Sequence, residues 1–133
     1  MEADAVRAFF THISGLNILP VVWPNTDQLS EEIESAPAHL RVAILNTRPE
    51  TLKTNGRSRH KWILQVSVYF KQDLGVFTAA QYVDSVTDGI PFNTVLTSGE
   101  FTFKTTSQGA VIPTVNTDNW LFTPIQFQFQ TFK

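Results

Sequence analysis

The sequence predicts an α+β fold, with a mostly antiparallel sheet of about four to five strands and two helices packed on one of its faces. Three observations carry that reading. Two stretches repeat apolar residues at helical spacing, and several others repeat them at every second position. The order is helix, strand, strand, helix and then about three strands, which is not the strict alternation of a parallel α/β fold. At 133 residues the chain fits one domain, 1–133, able to bury roughly two-thirds of its unfolded surface.

In "EADAVRAFFTHISG", Val6, Phe9, Phe10 and Ile13 fall at i, i+3, i+4 and i+7, one face of an amphipathic helix. Glu2 and Asp4 suit its amino-terminal dipole, and Gly15 is placed to end it in the left-handed conformation. Residues 16–23 are apolar, but Pro20 and Pro24 deny them a regular ladder, predicting an extended connector laid on the core. Residues 27–37 are acidic and polar and read as a surface loop. Leu40, Val42 and Ile44 alternate with Arg41 and Ala43, a short strand. The stretch "NTRPETLKTNGRSRH" has no apolar period and holds Pro49 and the turn pair Asn55-Gly56, so it reads as a long loop of the functional kind, mobile until a neighbour orders it.

"KWILQVSVYF" is the clearest strand. Trp62, Leu64, Val66, Val68 and Phe70 line one face, with Ile63 and Tyr69 on the other, and its apolar character predicts a central place in the sheet. Thr78 then caps a second helix whose Ala79, Val83, Val86 and Ile90 share a face. Phe77 and Tyr82 are spaced as a hydrophobic staple, and Gly89 supplies the stop. Strands follow over residues 100–106 and 110–115, with 107–109 as the turn between them. The last strand is "PIQFQFQTFK", preceded by Trp120 and Phe122. Ile125, Phe127 and Phe129 alternate there with Gln126, Gln128 and Gln130. A neutral face of this kind can be covered by a neighbouring copy without burying charge, and it lacks the lysine or glutamate that protects strands meant for water.

Composition excludes several classes. A net charge of −2 raises no field that calls for nucleic acid or an anionic membrane. The chain has no cysteine, which removes disulfides, thiol catalysis and cysteine zinc sites. Its apolar runs fall far short of the ~20 residues that span a bilayer, and its acidic start is unlike a secretory signal, so a cytoplasmic, soluble protein is the expectation. His12, His39 and His60 are too far apart for a metal-ligand spacing. No phosphate-cradling glycine run and no serine–base motif occurs, so no catalytic residue, cofactor or metal is assigned and the chain does not read as an enzyme.

Charge is distributed unevenly along the chain. Arg48, Lys53, Arg57, Arg59 and Lys61 form a basic loop opposed locally only by Glu50, while Asp27, Glu31, Glu32 and Glu34 form an acidic counter-patch. Opposite patches on one chain can pair head to tail between copies and close a ring, or they can be satisfied within the chain or by solvent. Phosphate binding by the basic loop ranks lower, because aromatic residues that stack on bases are absent from it.

At "ILPVVWPN", followed by "HLRVAIL" and then, after a long loop, by "QVSVYFKQDLG" and "IPF", the chain resembles the tail terminator or tail completion family of long-tailed bacteriophages. Pro20, Trp23, Pro24 and Asn25 match that family's signature. Physically they read as a packing clamp: Pro24 forces Trp23 into extended backbone, and Asn25 makes a local turn. The segment "TDQLSEEIESAP" departs from the family's pattern by being longer and more acidic.

The resemblance implies a structural virion protein, assembled in the host cytoplasm, that forms a homo-hexameric ring at the head-proximal end of the tail. It implies tail tube protein and a head–tail connector or neck protein as partners, with DNA passing through the channel without sequence-specific binding and no membrane. A head-closure or neck connector protein is the near alternative. A small nucleic-acid-binding module, or an enzyme subunit whose site another chain completes, stands further off.

Overall fold

The computed structural model describes residues 2–24, 36–46, 50–51, 58–117 and 119–132. Helix α1 (Glu2–Leu16) leads into β1 (Val21–Val22), β2 (Ala38–Asn46), β3 (Glu50–Thr51) and β4 (Ser58–Lys71). Helix α2 (Val76–Gly89) follows, then β5 (Val95–Ser98), β6 (Phe101–Thr105), β7 (Ala110–Val111), β8 (Val115–Asn116) and β9 (Trp120–Phe132). No helix is long and apolar enough to cross a membrane among the described residues.

The sheet is larger than the sequence predicts and it is mixed. Its main order is β1-β2-β4-β9-β6-β5, with β3 added to β4 and β7 and β8 added to β9. The β1–β2 pair is parallel and the other described pairs are antiparallel. The connector therefore joins the ladder after all. Pro20 lacks an N–H but keeps its carbonyl, which accepts the Leu40 N–H at 2.8 Å.

Strands β4 and β9 are central, paired from Arg59↔Phe132 to Lys71↔Trp120. Three short pieces share the other edge of β9. Lys104 and Thr105 pair with Gln130 and Phe129, Ala110 and Val111 with Gln126 and Ile125, and Val115 and Asn116 with Phe122 and Leu121. The expected hairpin closed by residues 107–109 does not form, because β6 and β7 each pair with β9. Pro113 breaks the run between β7 and β8. That break also accommodates Pro124 inside a central strand: its carbonyl accepts the Ile112 N–H at 2.9 Å, so its missing N–H faces the same interrupted edge. The sequence reading missed β5, whose signal is the two-residue Gly99-Glu100 turn, with Gly99 at φ 60.

One face of the sheet carries the core, with both helices against it. Trp62, Leu64, Val66, Val68, Ile125, Phe127 and Phe129 are buried with Phe9 and Ile13 of α1 and Ala79 and Val86 of α2. Phe9 is the hub, its ring 4.7 Å from Phe129, 5.4 Å from Phe103 and 6.4 Å from Trp62. His12 ties the helices together, since Nε2–H donates to the Gly89 carbonyl at 2.9 Å.

The helix ends differ from expectation. Helix α1 runs past Gly15, and Asn17 at φ 51 is the left-handed residue. Helix α2 starts ahead of Thr78, from Gly75 at φ 95, with no side-chain cap. Phe77 is consequently inside the first turn and 77% exposed, so it staples nothing. Val6 also stands at the margin of its face, while Ala5 and Ala8 are buried.

Candidate docking groove

Register decides which charged and amide side chains meet. Strand neighbours directly opposite each other share a face of the sheet, and Trp62, Leu64 and Val66 take the core face. Lys61, Ile63 and Gln65 therefore stand on the opposite face, level with Gln130, Gln128 and Gln126. Lys104 of β6 is level with Gln130 on its other side. The result is a row running Lys61, Gln130, Lys104 across β4, β9 and β6. A glutamine between two lysines adds no third like charge.

This row floors a groove of about 630 Å³, which Arg59, Ile63, Phe92 and Gln128 also line. No acidic residue is among its described lining residues. Lys61, Lys104 and Gln128 are exposed and Arg59 is half-buried. Phe92, beside Asn93 at φ 73, is 50% exposed and adds an apolar wall. Its described lining offers cations and amides beside the apolar side chains of Ile63 and Phe92.

Two separate expectations thus converge. Arg59 and Lys61 of the basic loop and Gln128 and Gln130 of the glutamine face line the same groove. Gln126 does not line it; its Nε2–H donates to Gln65 Oε1 at 3.0 Å. Arg48, Lys53 and Arg57, the acidic patch of Asp27, Glu31, Glu32 and Glu34, and Asn25 lie outside the described residues, as does most of the loop expected to be mobile. Lys104 and Phe92 were missed. The alternation of "FTFKT" was the available signal for Lys104, since it sets the lysine opposite the buried Phe103.

The same face carries a different surface at its other end. His39, Tyr69 and Phe122 are level across β2, β4 and β9, and their rings stack at 5.1 and 4.8 Å. Trp120 meets His39 edge-on at 4.7 Å, and the Arg41 guanidinium lies 4.5 Å from the Tyr69 ring centre. Arg41 Nε–H donates to His39 Nε2 at 3.2 Å, leaving Nδ1 to carry the proton. His39 is fully buried. Loss of hydration, and then the Arg41 charge, lower its pKa to about 4, so the ring is neutral.

Trp23, Pro20 and Pro24 sit away from both surfaces. The Trp23 indole packs on Phe10 with ring centres 4.6 Å apart, and Pro20 anchors β1 to β2 as described above.

With this geometry in place, a family model described as phage tail terminator protein matches residues 3–129. The chain belongs to the phage tail terminator family. That membership makes it a structural component of a phage tail and a virion protein. Solved structures share the fold. A chain that carries only a sequence designation superposes with a TM-score of 0.78 at 20% identity, over 98% of this chain and 95% of its own. A chain from the "virion of native gene transfer agent (GTA) particle" superposes at 0.64 with 12% identity, over 99% and 97%. No curated protein matches.

Proposed function

We propose that this terminator family member forms a homo-hexameric ring on the head-proximal end of the finished tail tube. The ring stops addition of tube protein and presents the surface to which the head or its neck protein joins. It is assembled in the host cytoplasm, and DNA crosses its channel without sequence-specific contacts. The protein acts by packing and docking, not by catalysis. The observation that carries this reading is the family match over residues 3–129. The groove supports it, because a ring of identical subunits needs a recognition surface away from the core, and amides can be covered there at less cost than charges.

The test is tail length in a phage that lacks the protein, measured by electron microscopy. Tubes longer than wild type and unjoined to heads are expected, with length control restored by the protein in trans. Tubes of normal length that fail only in joining heads would instead assign it to the neck. In solution the ring has a mass six times the 15.0 kDa of the chain, ~90 kDa.

A further inference from the structure

A ring of identical subunits needs two different surfaces on each copy, one fitted to the other, because a patch that pairs with itself stops at a dimer. The described residues offer such a pair at opposite ends of α2. The first is a hollow. Beside the start of the helix, Phe70, Val76, Ala79, Val83, Val111 and Leu121 line an open space of about 530 Å³. It has two local causes. The helix contributes the small side chains of Ala79 and Ala80, and the far wall, at Val111 and Thr114, is the edge that Pro113 interrupts. Val76 and Val111 are left 87% and 53% exposed there, an apolar surface of the kind that marks a contact.

The second surface is a knob. Phe92 occupies the turn just beyond the end of α2, followed by Asn93 at φ 73. The turn is pinned on both sides. Thr94 N–H and Oγ1–H donate to the Pro91 carbonyl at 3.1 and 2.6 Å, and Thr105 N–H donates to the Thr94 carbonyl at 3.0 Å. A half-exposed ring held on fixed backbone loses little freedom when it docks. Charge complements the shapes. Lys104 is directly opposite the exposed Val95 and lines the same groove as Phe92, whereas the described lining of the hollow holds Asp84 and no cation. Neither Lys104 nor Asp84 has an ion-pair partner among the described residues. We propose that Phe92 of one copy inserts into the hollow of the next, with its Lys104 beside that neighbour's Asp84, and that this contact repeats around the ring. The proposal rests on the ring reading above.

A chain cannot fill its own hollow. Phe92 lines a groove with Phe129, while the hollow lies at Thr123 of the same strand, ~20 Å away at ~3.3 Å per residue. The length of α2 from Val76 to Gly89 gives the same ~20 Å at ~1.5 Å per residue. The ring of a second copy meets no such limit.

The chain has no cysteine, so introduced thiols report without background. Differently tagged Phe92→Cys and Ala80→Cys subunits are mixed with a short bismaleimide. Cross-links between the two variants are expected at least tenfold above those of a Thr102→Cys and Ala80→Cys mixture, and the double variant should give a ladder ending at six chains. Phe92→Ser and Ala80→Trp, both at exposed positions, should each weaken self-association ~tenfold or more with a denaturation midpoint near wild type. Mixed together they should give dimers of ~30 kDa and no ring, since one intact knob meets one intact hollow. Lys104→Glu and Asp84→Lys should each weaken association and restore it when combined in one chain.

Cross-linking no greater than in the control mixture would overturn the proposal. So would capture of Phe92→Cys by its own kind, or by tube protein in assembled tails, in place of Ala80→Cys. Six-fold rings that form in Phe92→Ser and in Ala80→Trp would leave the ring reading standing and remove this contact from it. Cross-linked chains that neither close nor cap tubes would do the reverse.

Discussion

His39 shows how one side chain carries a pH dependence into the fold. Its pKa in the folded protein, about 4, is below the ordinary 6.5 because burial and Arg41 disfavour the cation. The unfolded chain therefore binds more protons between those values. Its contribution to stability is complete above pH ~6.5, falls as pH drops toward 4, and is constant below that, a loss on the order of 3 kcal/mol. Urea midpoints measured from pH 7 to pH 4 should fall more in the wild type than in His39→Gln, which keeps an acceptor for Arg41 without a titrating ring. Gly109 makes a second prediction from close approach. A Cβ there would stand 2.5 Å from the buried Phe127 ring, and an aromatic core side chain has little room to yield. Gly109→Ala should cost about 1 to 3 kcal/mol, read as a lower denaturation midpoint with an unchanged slope.

Among the elements, legibility followed how strongly periodicity was imposed. Strand β4 was readable because one side of it is buried throughout, so Trp62, Leu64, Val66, Val68 and Phe70 must alternate. Helix α1 was readable for the same reason at a different period. Strands β7 and β8 were not readable as they occur, because two-residue pieces have no period, and their pairing is dictated by β9. The groove was half legible. Arg59, Lys61, Gln128 and Gln130 could be named from charge and alternation, but only the register of three strands shows that they converge with Lys104. The aromatic row was invisible for a related reason: His39, Tyr69 and Phe122 are far apart in sequence and adjacent only across β2, β4 and β9. The difference in pairing predicts a difference in opening. Amide protons of β4 and β9 should exchange only by global unfolding, while those of β5, paired on one side and holding four residues, should exchange through local opening.

Taken whole, the molecule is held by contacts between distant parts of the chain. Strand β4 is flanked by β2, which precedes it, and by β9, which begins at Trp120. Half of its ladder has no partner until that later segment exists. The price is kinetic: during translation at ~5–20 residues per second, some 2–10 s separate the emergence of Lys71 from that of Trp120. For those seconds the nascent chain presents an open fourteen-residue strand whose aliphatic row has half its cover. An unpaired strand edge of that kind is the sort of surface that aggregates. The full ladder of β4 therefore closes only after the chain has grown beyond β9.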